Sequence, residues 1–468
     1  MENEKSKGQL LQDELLINNK NGWDLISDDE AARADAFCEE YKAFLNACKT
    51  ERETVDYTVE MLEKAGYTPF DRNQNYSAGD KVYINNRGKA LLFATIGTQP
   101  IEKGVRIMAS HIDSPKLDLK PRPLYEEAQL ALFKTHYYGG IKRYQWGTIP
   151  LALHGVVVKR DGTMVKVNIG EAESDPVFCI TDLLPHLGKE QMARTLQDGL
   201  KGEELNVLVG SRMFKDDKAS ERVKLYIISL LKEKYDISEP DFLSAELMLV
   251  PAFQTKDLGF DRSMIGGYGH DDRICAYTSL RAAMDVTSPA YTTVTVLADK
   301  EETGSDGNTG MQSRVLEYFI ADLAEQQGIP GRVVLSNSKC LSADVAAAYD
   351  PTFSDVSEKR NSAYLNYGVA VMKYTGSGGK YSTNEATAEF MAYVRNILDE
   401  KNVLWQTCEL GKVDAGGGGT VAKYISKLNV DVVDIGVAVL SMHSPFEVVS
   451  KLDTYMTYRA FYEFAAAK

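Results

Sequence analysis

The chain has 468 residues, with 67 acidic against 53 basic side chains, a formal charge of −14, 44% hydrophobic and 26% charged residues. At roughly 150 residues per domain this favours two or three domains with real cores, and the composition excludes wholesale disorder. No apolar run approaches the roughly 18 to 20 residues that span a bilayer, and the acidic excess without clustered Lys and Arg argues against nucleic-acid binding.

The N-terminal stretch MENEKSKGQLLQDELL has no basic patch leading into an apolar segment, so no export signal is read there and a cytoplasmic protein is expected. From Ser27 to about Gly66, apolar residues recur every three or four positions (Phe37, Tyr41, Phe44, Leu45, Val55, Val59, Leu62), predicting one or two amphipathic helices. Strands follow in VYINN, KALLFATIG and GVRIMAS, the last running into His111. From about Lys116 to Val250 the texture is β-rich. GVVVKRDGTMVKVNIG predicts a hairpin on a type I′ turn at Asp161-Gly162, and the charged stretch near Lys189 to Lys234 reads as helical.

After Val250 strands and helices alternate. YTTVTVLAD precedes a helix from about Gly310, GRVVLSNS reads as a strand before a helical SADVAAAY, and VDVVDIGVAVLSM precedes a helix from about Lys451. The pattern predicts an α/β domain with a mainly parallel sheet, formed by 1–115 and 251–468, into which a smaller β-rich domain, 116–250, is inserted. The six cysteines (Cys38, Cys48, Cys179, Cys275, Cys340, Cys408) form no C-x-x-C pair, so reduced core residues are expected in place of disulfides or a thiolate zinc site.

Five segments place metal-ligating residue types after predicted strands or a glycine-rich turn. In SHIDSP, Asp113 lies two residues beyond His111 on the same face of an extended segment, where it can orient the imidazole; in isolation such a pair is more often structural. GHDDR offers the adjacent carboxylates Asp271 and Asp272, either a helix cap with an ion pair or a carboxylate bridging two cations. DKEETGSDG offers Glu301 and Glu302, whose side chains diverge; one can bind metal while the other takes a proton, although a solvated acidic turn is the ordinary reading. Asp344 reads as a ligand or as the cap of a helix through Ala348, and His443 in SMHSP as a ligand or a core histidine. Their recurrence at strand ends favours a site, because functional groups gather past the carboxyl ends of strands in α/β folds. TGSGGKYST misses the phosphate-loop pattern, Gly416–Gly419 lacks the dinucleotide-binding context, and no G-x-S-x-G elbow is present.

Taken together, SHIDSPKLDLKPRP, YYGGIKRYQWG, LLPHL, GHDDR, DKEETGSDG, LSADVAAAYDP, KYSTNEA and SMHSPFE resemble the M18 family of metallo-aminopeptidases, the aspartyl aminopeptidase-like group, in a bacterial version and in the family's order over most of the chain. The resemblance implies a zinc-peptidase (phosphorylase/hydrolase-like) catalytic domain with the inserted domain used for dimerisation or as a lid, and dimers assembling into a tetrahedral dodecamer. It implies two divalent cations, zinc first with cobalt or manganese possible, held by His111, Asp271 and Asp344 and by Asp271, Glu302 and His443, with Asp271 bridging. It further implies Glu301 as general base, Asp113 as the carboxylate orienting His111, His186 reaching a neighbouring subunit's site, and Lys373 near substrate.

The activity so implied is removal of the N-terminal residue from peptides with a free N-terminus, with neither nucleic acid nor membrane as partner. Two alternatives stand beside it: a carboxypeptidase or N-acyl amino acid deacylase on the same dimetal scaffold, and a non-catalytic assembly protein. The preferred N-terminal residue is left open.

Overall fold

The computed structural model describes residues 5–17 and 19–468. Its larger sheet has nine strands in the order Thr68–Pro69, Lys81–Asn86, Ala90–Thr95, Thr293–Ala298, Arg106–His111, Lys339–Ala343, Asp431–Gly436, Val369–Met372 and Trp405–Thr407. The four strands 293–298, 106–111, 339–343 and 431–436 run parallel at its centre. Their side chains alternate between two cores, as a period-2 strand buried on both faces requires. Leu91, Phe93, Met108, Val433 and Ile435 face one core, and Leu92, Ala94, Ile107, Ala109 and Val432 face the other. Helices Asp28–Ala47, His270–Asp285, Ala388–Glu400 and Lys451–Ala466 cover the first face, and Val315–Glu325 the second.

Between 116 and 251 the chain builds a separate, fully antiparallel seven-stranded sheet, ordered Met164–Ile169, Leu151–Val158, Ala245–Pro251, Lys116–Glu127, Leu130–Tyr138, Asn206–Gly210 and Cys179–Ile180. Its core is built around Phe133, Trp146, Leu153 and Leu249. A five-stranded sheet, including Met264–Gly267, Ala438–Leu440 and Glu447–Ser450, lies alongside the chain segments that carry His443. The architecture is thus mixed α/β, with a large mixed sheet and a distinct antiparallel one.

Several local readings need correction. Residues Gly331–Ser336 form a helix begun by Pro330, and the strand lies three residues later at Lys339–Ala343. A short Val-Val run between Pro-Gly and Asn suits either state, and the strand pairing is taken by the run that is buried and flanked on both sides by parallel neighbours. SADVAAAY is not helical: Ala346–Ala347 pairs in parallel with Ala438–Val439, so Asp344 caps no helix. The hairpin at 158–164 forms, but only Gly162 has positive φ (+87°), and Asp161 accepts from the Thr163 amide at 2.9 Å; this is an Asx turn followed by glycine, where type I′ was expected. The stretch 189–234 is interrupted by the strand Asn206–Gly210, leaving helices Lys189–Met192 and Arg222–Tyr235.

Candidate metal centre

Strand ends deliver the site. His111 closes its central strand, Glu301 and Glu302 form the turn Glu301–Thr303 directly after Thr293–Ala298, Asp344 follows Lys339–Ala343, and His443 lies three residues past Ala438–Leu440. Parallel strands bring their carboxyl ends to one edge, so residues remote in sequence meet without long loops. Asp271 arrives from the start of helix His270–Asp285, where Asp271 and Asp272 depart from helical geometry. Gly269 precedes them with φ of +80°; a Cβ there would lie 1.5 Å from the Arg273 guanidinium, so only glycine permits this entry.

Asp271 faces both histidines. Its Oδ1 lies 3.2 Å from His111 Nε2 and its Oδ2 3.1 Å from His443 Nε2. Asp344 Oδ1 and Glu301 Oε2 stand 3.7 and 3.9 Å from His111 Nε2, and Glu302 Oε2 stands 3.6 Å from His443 Nε2. Two groups result, His111 with Glu301 and Asp344, and Asp271 with Glu302 and His443, each with donor atoms within 4.8 Å of one another. Asp272 joins Asp271 and Asp344 in a third such combination.

The donors fit a pair of dications. His111 Nε2, Asp271 Oδ1 and Glu302 Oε1 are buried without a hydrogen-bond partner, and carboxylates so confined are strongly destabilising unless a cation compensates them. Burial pushes Glu301 up to about 8, with Asp344 and Asp271 adding to the rise and His111 opposing it. Glu302 is raised by burial and by Asp271, and Asp344 by burial against the pull of His111. Burial would also raise Asp271, but its contacts with His111 and His443 outweigh this and hold it low. Burial opposes the charge on His443, yet Asp271 carries it up to about 11. A cation-free cluster therefore holds protons that dications displace on binding. Two imidazoles with carboxylates and no thiolate suit zinc, and also cobalt or manganese.

A second layer holds these donors. Asp113 accepts from the backbone N–H of Glu301 (3.1 Å) and of Glu302 (3.2 Å) and from the Tyr138 hydroxyl (2.7 Å), while its Oδ1 lies 3.3 Å from His111 Nδ1. His111 Nδ1 hydrogen-bonds to the Asp113 main-chain carbonyl at 3.1 Å, while the Asp113 carboxylate pins the glutamate turn. Glu447 does the equivalent opposite, accepting from the backbone N–H of Asp271 (3.1 Å) and of His443 (2.8 Å). Tyr138 and the two glycines after it come from the antiparallel sheet: the Gly140 carbonyl accepts from His443 Nδ1 at 2.8 Å, and a Cβ on Gly139 (φ +78°) would come within 3.1 Å of Glu302 Oε2. Sequence reasoning assigned no role to Tyr138 or Glu447; the available signals were YYGG and a glutamate four residues after His443.

His111, Asp113, Asp271, Glu301, Glu302, Asp344 and His443 therefore converge. His186 and Lys373 do not. His186 is exposed between Cys179–Ile180 and Lys189–Met192 and bonds to no residue of the cluster. Lys373 is exposed, with Nζ 3.9 Å from Glu385. His270 bonds through Nδ1 to the Tyr41 hydroxyl at 2.7 Å, and burial, then Arg273, pushes it down to about 3, so it is neutral and touches none of the donors. His154 is buried between Glu53 and Glu171, and His136 is exposed. A cavity of about 250 Å³ opens directly on Asp271, Glu301, Asp344 and His443. A larger apolar cavity of about 520 Å³, beneath helix Arg222–Tyr235, contains none of them.

Imidazoles and carboxylates gathered past the carboxyl ends of the parallel central strands of a mixed sheet, with a glutamate at the rim of a cavity, define a metal-dependent hydrolase. The chain belongs to the M18 family of metallo-aminopeptidases: the family described as aminopeptidase I zinc metalloprotease (M18) matches residues 44–465. It is 49% identical to the Clostridium acetobutylicum protein named "Probable M18 family aminopeptidase 1", over 96% of this chain and 98% of that one. The crystal structure of an M18 aminopeptidase from Thermotoga maritima superposes with a TM-score of 0.93 at 44% identity, covering 97% of this chain and 100% of that chain. The Saccharomyces cerevisiae mApe1 dodecamer shares the fold at 21% identity and a TM-score of 0.74, over 92% of this chain and 97% of its own. Among the described residues no helix is long and apolar enough to cross a membrane.

Proposed function

We propose that the protein removes the N-terminal residue from peptides with a free N-terminus at a two-cation centre, with His111, Asp271 and Asp344 holding one cation and Asp271, Glu302 and His443 the other. The observation that carries this reading is the split engagement of Asp271, one oxygen toward each histidine at 3.2 and 3.1 Å. When bound, two divalent cations, zinc foremost, supply Lewis acidity toward the scissile carbonyl and an attacking water. Glu301 accepts the water's proton and returns it to the leaving amine. Asp113 keeps His111 aligned and Glu301 in register through the backbone bonds it accepts. Metal analysis, combined with hydrolysis of free-amine aminoacyl substrates with and without chelator, tests the proposal. Acetylated N-termini should abolish cleavage; retained cleavage favours a deacylase or carboxypeptidase, and neither metal nor turnover favours an assembly protein.

Residues 116–250 act in this reading as an inserted domain for dimerisation and for covering the site, with dimers building a dodecamer. Support comes from Tyr138 and Gly140, which that segment contributes to the centre, and from exposed Leu183, Leu184, Leu187 and Met192 around His186, an apolar patch of the kind that marks a contact surface. His186 then donates to the developing oxyanion in a neighbouring subunit. Lys373 lies near substrate in this reading, with its ammonium 3.9 Å from Glu385. A cytoplasmic location accords with six free cysteines, five of them buried.

A further inference from the structure

We propose that Glu409 sets the side-chain preference of this enzyme, favouring substrates whose first residue is basic over those whose first residue is acidic. The inference rests on the aminopeptidase reading and adds the substrate class. The cavity of about 250 Å³ beside the metal centre has room for one long side chain, and its walls beyond the cluster are mostly apolar or backbone: Val345, Met372, Leu410, Met442 and the glycines 417–419. Glu409 is the one charged residue of that wall, and among the described residues no Lys or Arg lines the cavity.

One carboxylate oxygen of Glu409 is engaged by a neighbour. Oε1 accepts from the Tyr374 hydroxyl at 2.5 Å, and among the described residues Glu409 forms no ion pair. Two basic residues of the 373–380 segment are engaged elsewhere, while Lys423 Nζ lies 3.1 Å from the position of a Cβ on the cavity glycine Gly419. Lys380 lies 2.8 Å from Glu385 and 3.8 Å from the Tyr374 ring centroid, and Lys373 also turns to Glu385 at 3.9 Å. A substrate Lys or Arg can run its methylenes along Met372, Leu410 and Met442 and place its cation against Glu409. An acidic side chain in the same cavity would meet Glu409, a like-charge arrangement that discriminates by repulsion.

The test is kcat/KM of the zinc-loaded protein on Lys-, Arg-, Leu-, Met-, Glu- and Asp-aminoacyl fluorogenic substrates, for wild type, Glu409→Gln, Glu409→Lys and Tyr374→Phe. Gln retains an acceptor for Tyr374 and removes only the charge. Wild type should favour Lys and Arg over Glu and Asp by at least about tenfold, and Glu409→Gln should lower the Lys-to-Leu ratio by about 10- to 100-fold, the span of a hydrogen bond to a charged group. Glu409→Lys should invert the Lys-to-Glu preference, and Tyr374→Phe should lower the Lys-to-Leu ratio less than Glu409→Gln does. Equal losses on Lys and Leu substrates in Glu409→Gln would overturn the assignment, as would a wild-type acidic preference abolished by Lys373→Ala. Turnover of no free-amine substrate by zinc-loaded wild type would instead bring down the aminopeptidase reading, and this inference with it.

Discussion

Replacing Glu301 by Gln separates proton transfer from metal binding. The substitution is isosteric, and the turn that presents it is fixed through the main chain: Asp113 accepts from the backbone N–H of residues 301 and 302 at 3.1 and 3.2 Å, bonds that glutamine leaves intact. The ligand-to-ligand contacts of Asp271, His111 and His443 do not pass through residue 301. What is lost is the carboxylate at the rim of the cavity that would take the proton. A positioned base contributes about 10²- to 10⁴-fold, or about 2.7 to 5.5 kcal/mol of barrier. The expectation is therefore an unchanged zinc content by elemental analysis and a kcat lower by that factor on a free-amine substrate. If Glu301→Gln loses zinc while Glu302→Gln keeps it, the two glutamates have been assigned the wrong way round.

Tyr138→Phe removes the 2.7 Å bond to Asp113 without touching a ligand; second-layer losses of this kind weaken affinity or activity by about 10- to 100-fold, so zinc competition with a chelating dye should register a weaker site, and an unaltered affinity and kcat would deny Asp113 its orienting role. Zinc affinity should climb with pH, because His443, held up to about 11 in the cation-free cluster, is protonated at neutral pH and must lose that proton to bind. The rise should be about tenfold per pH unit for each proton displaced, and a flat profile between pH 6 and 8 would contradict it. His186→Phe should assemble normally yet lose about 100- to 1000-fold in kcat, the cost of an oxyanion donor; full activity in intact oligomers would refute its role across subunits.

Much of the fold was legible because the central strands are largely apolar and buried on both faces, and because Phe37, Tyr41, Phe44 and Leu45 mark one helical stripe. The misreadings share a cause. Gly331–Ser336 and Lys339–Ala343 are both short and apolar, and only pairing with Arg106–His111 and Asp431–Gly436 decides which is the strand. The donors were legible as repeated placements of His, Asp and Glu after strands. Glu447 was not, since it works by accepting backbone N–H bonds from Asp271 and His443, which carry no residue-type signature. Tyr138 was not, since its bond to Asp113 joins two segments whose proximity depends on the antiparallel sheet. Glu409 enters the cavity from the loop after Trp405–Thr407, where it reads as one surface acid among many.

The two-cation claim is tested most directly by titrating zinc into metal-free protein while following hydrolysis of a free-amine aminoacyl substrate. The arrangement of Asp271 between His111 and His443 predicts activity that saturates at two equivalents per subunit, with Asp271→Asn binding neither tightly. Full activity at a single equivalent, or two bound equivalents with Asp271→Asn as active as wild type, would contradict the shared carboxylate at the centre of this account.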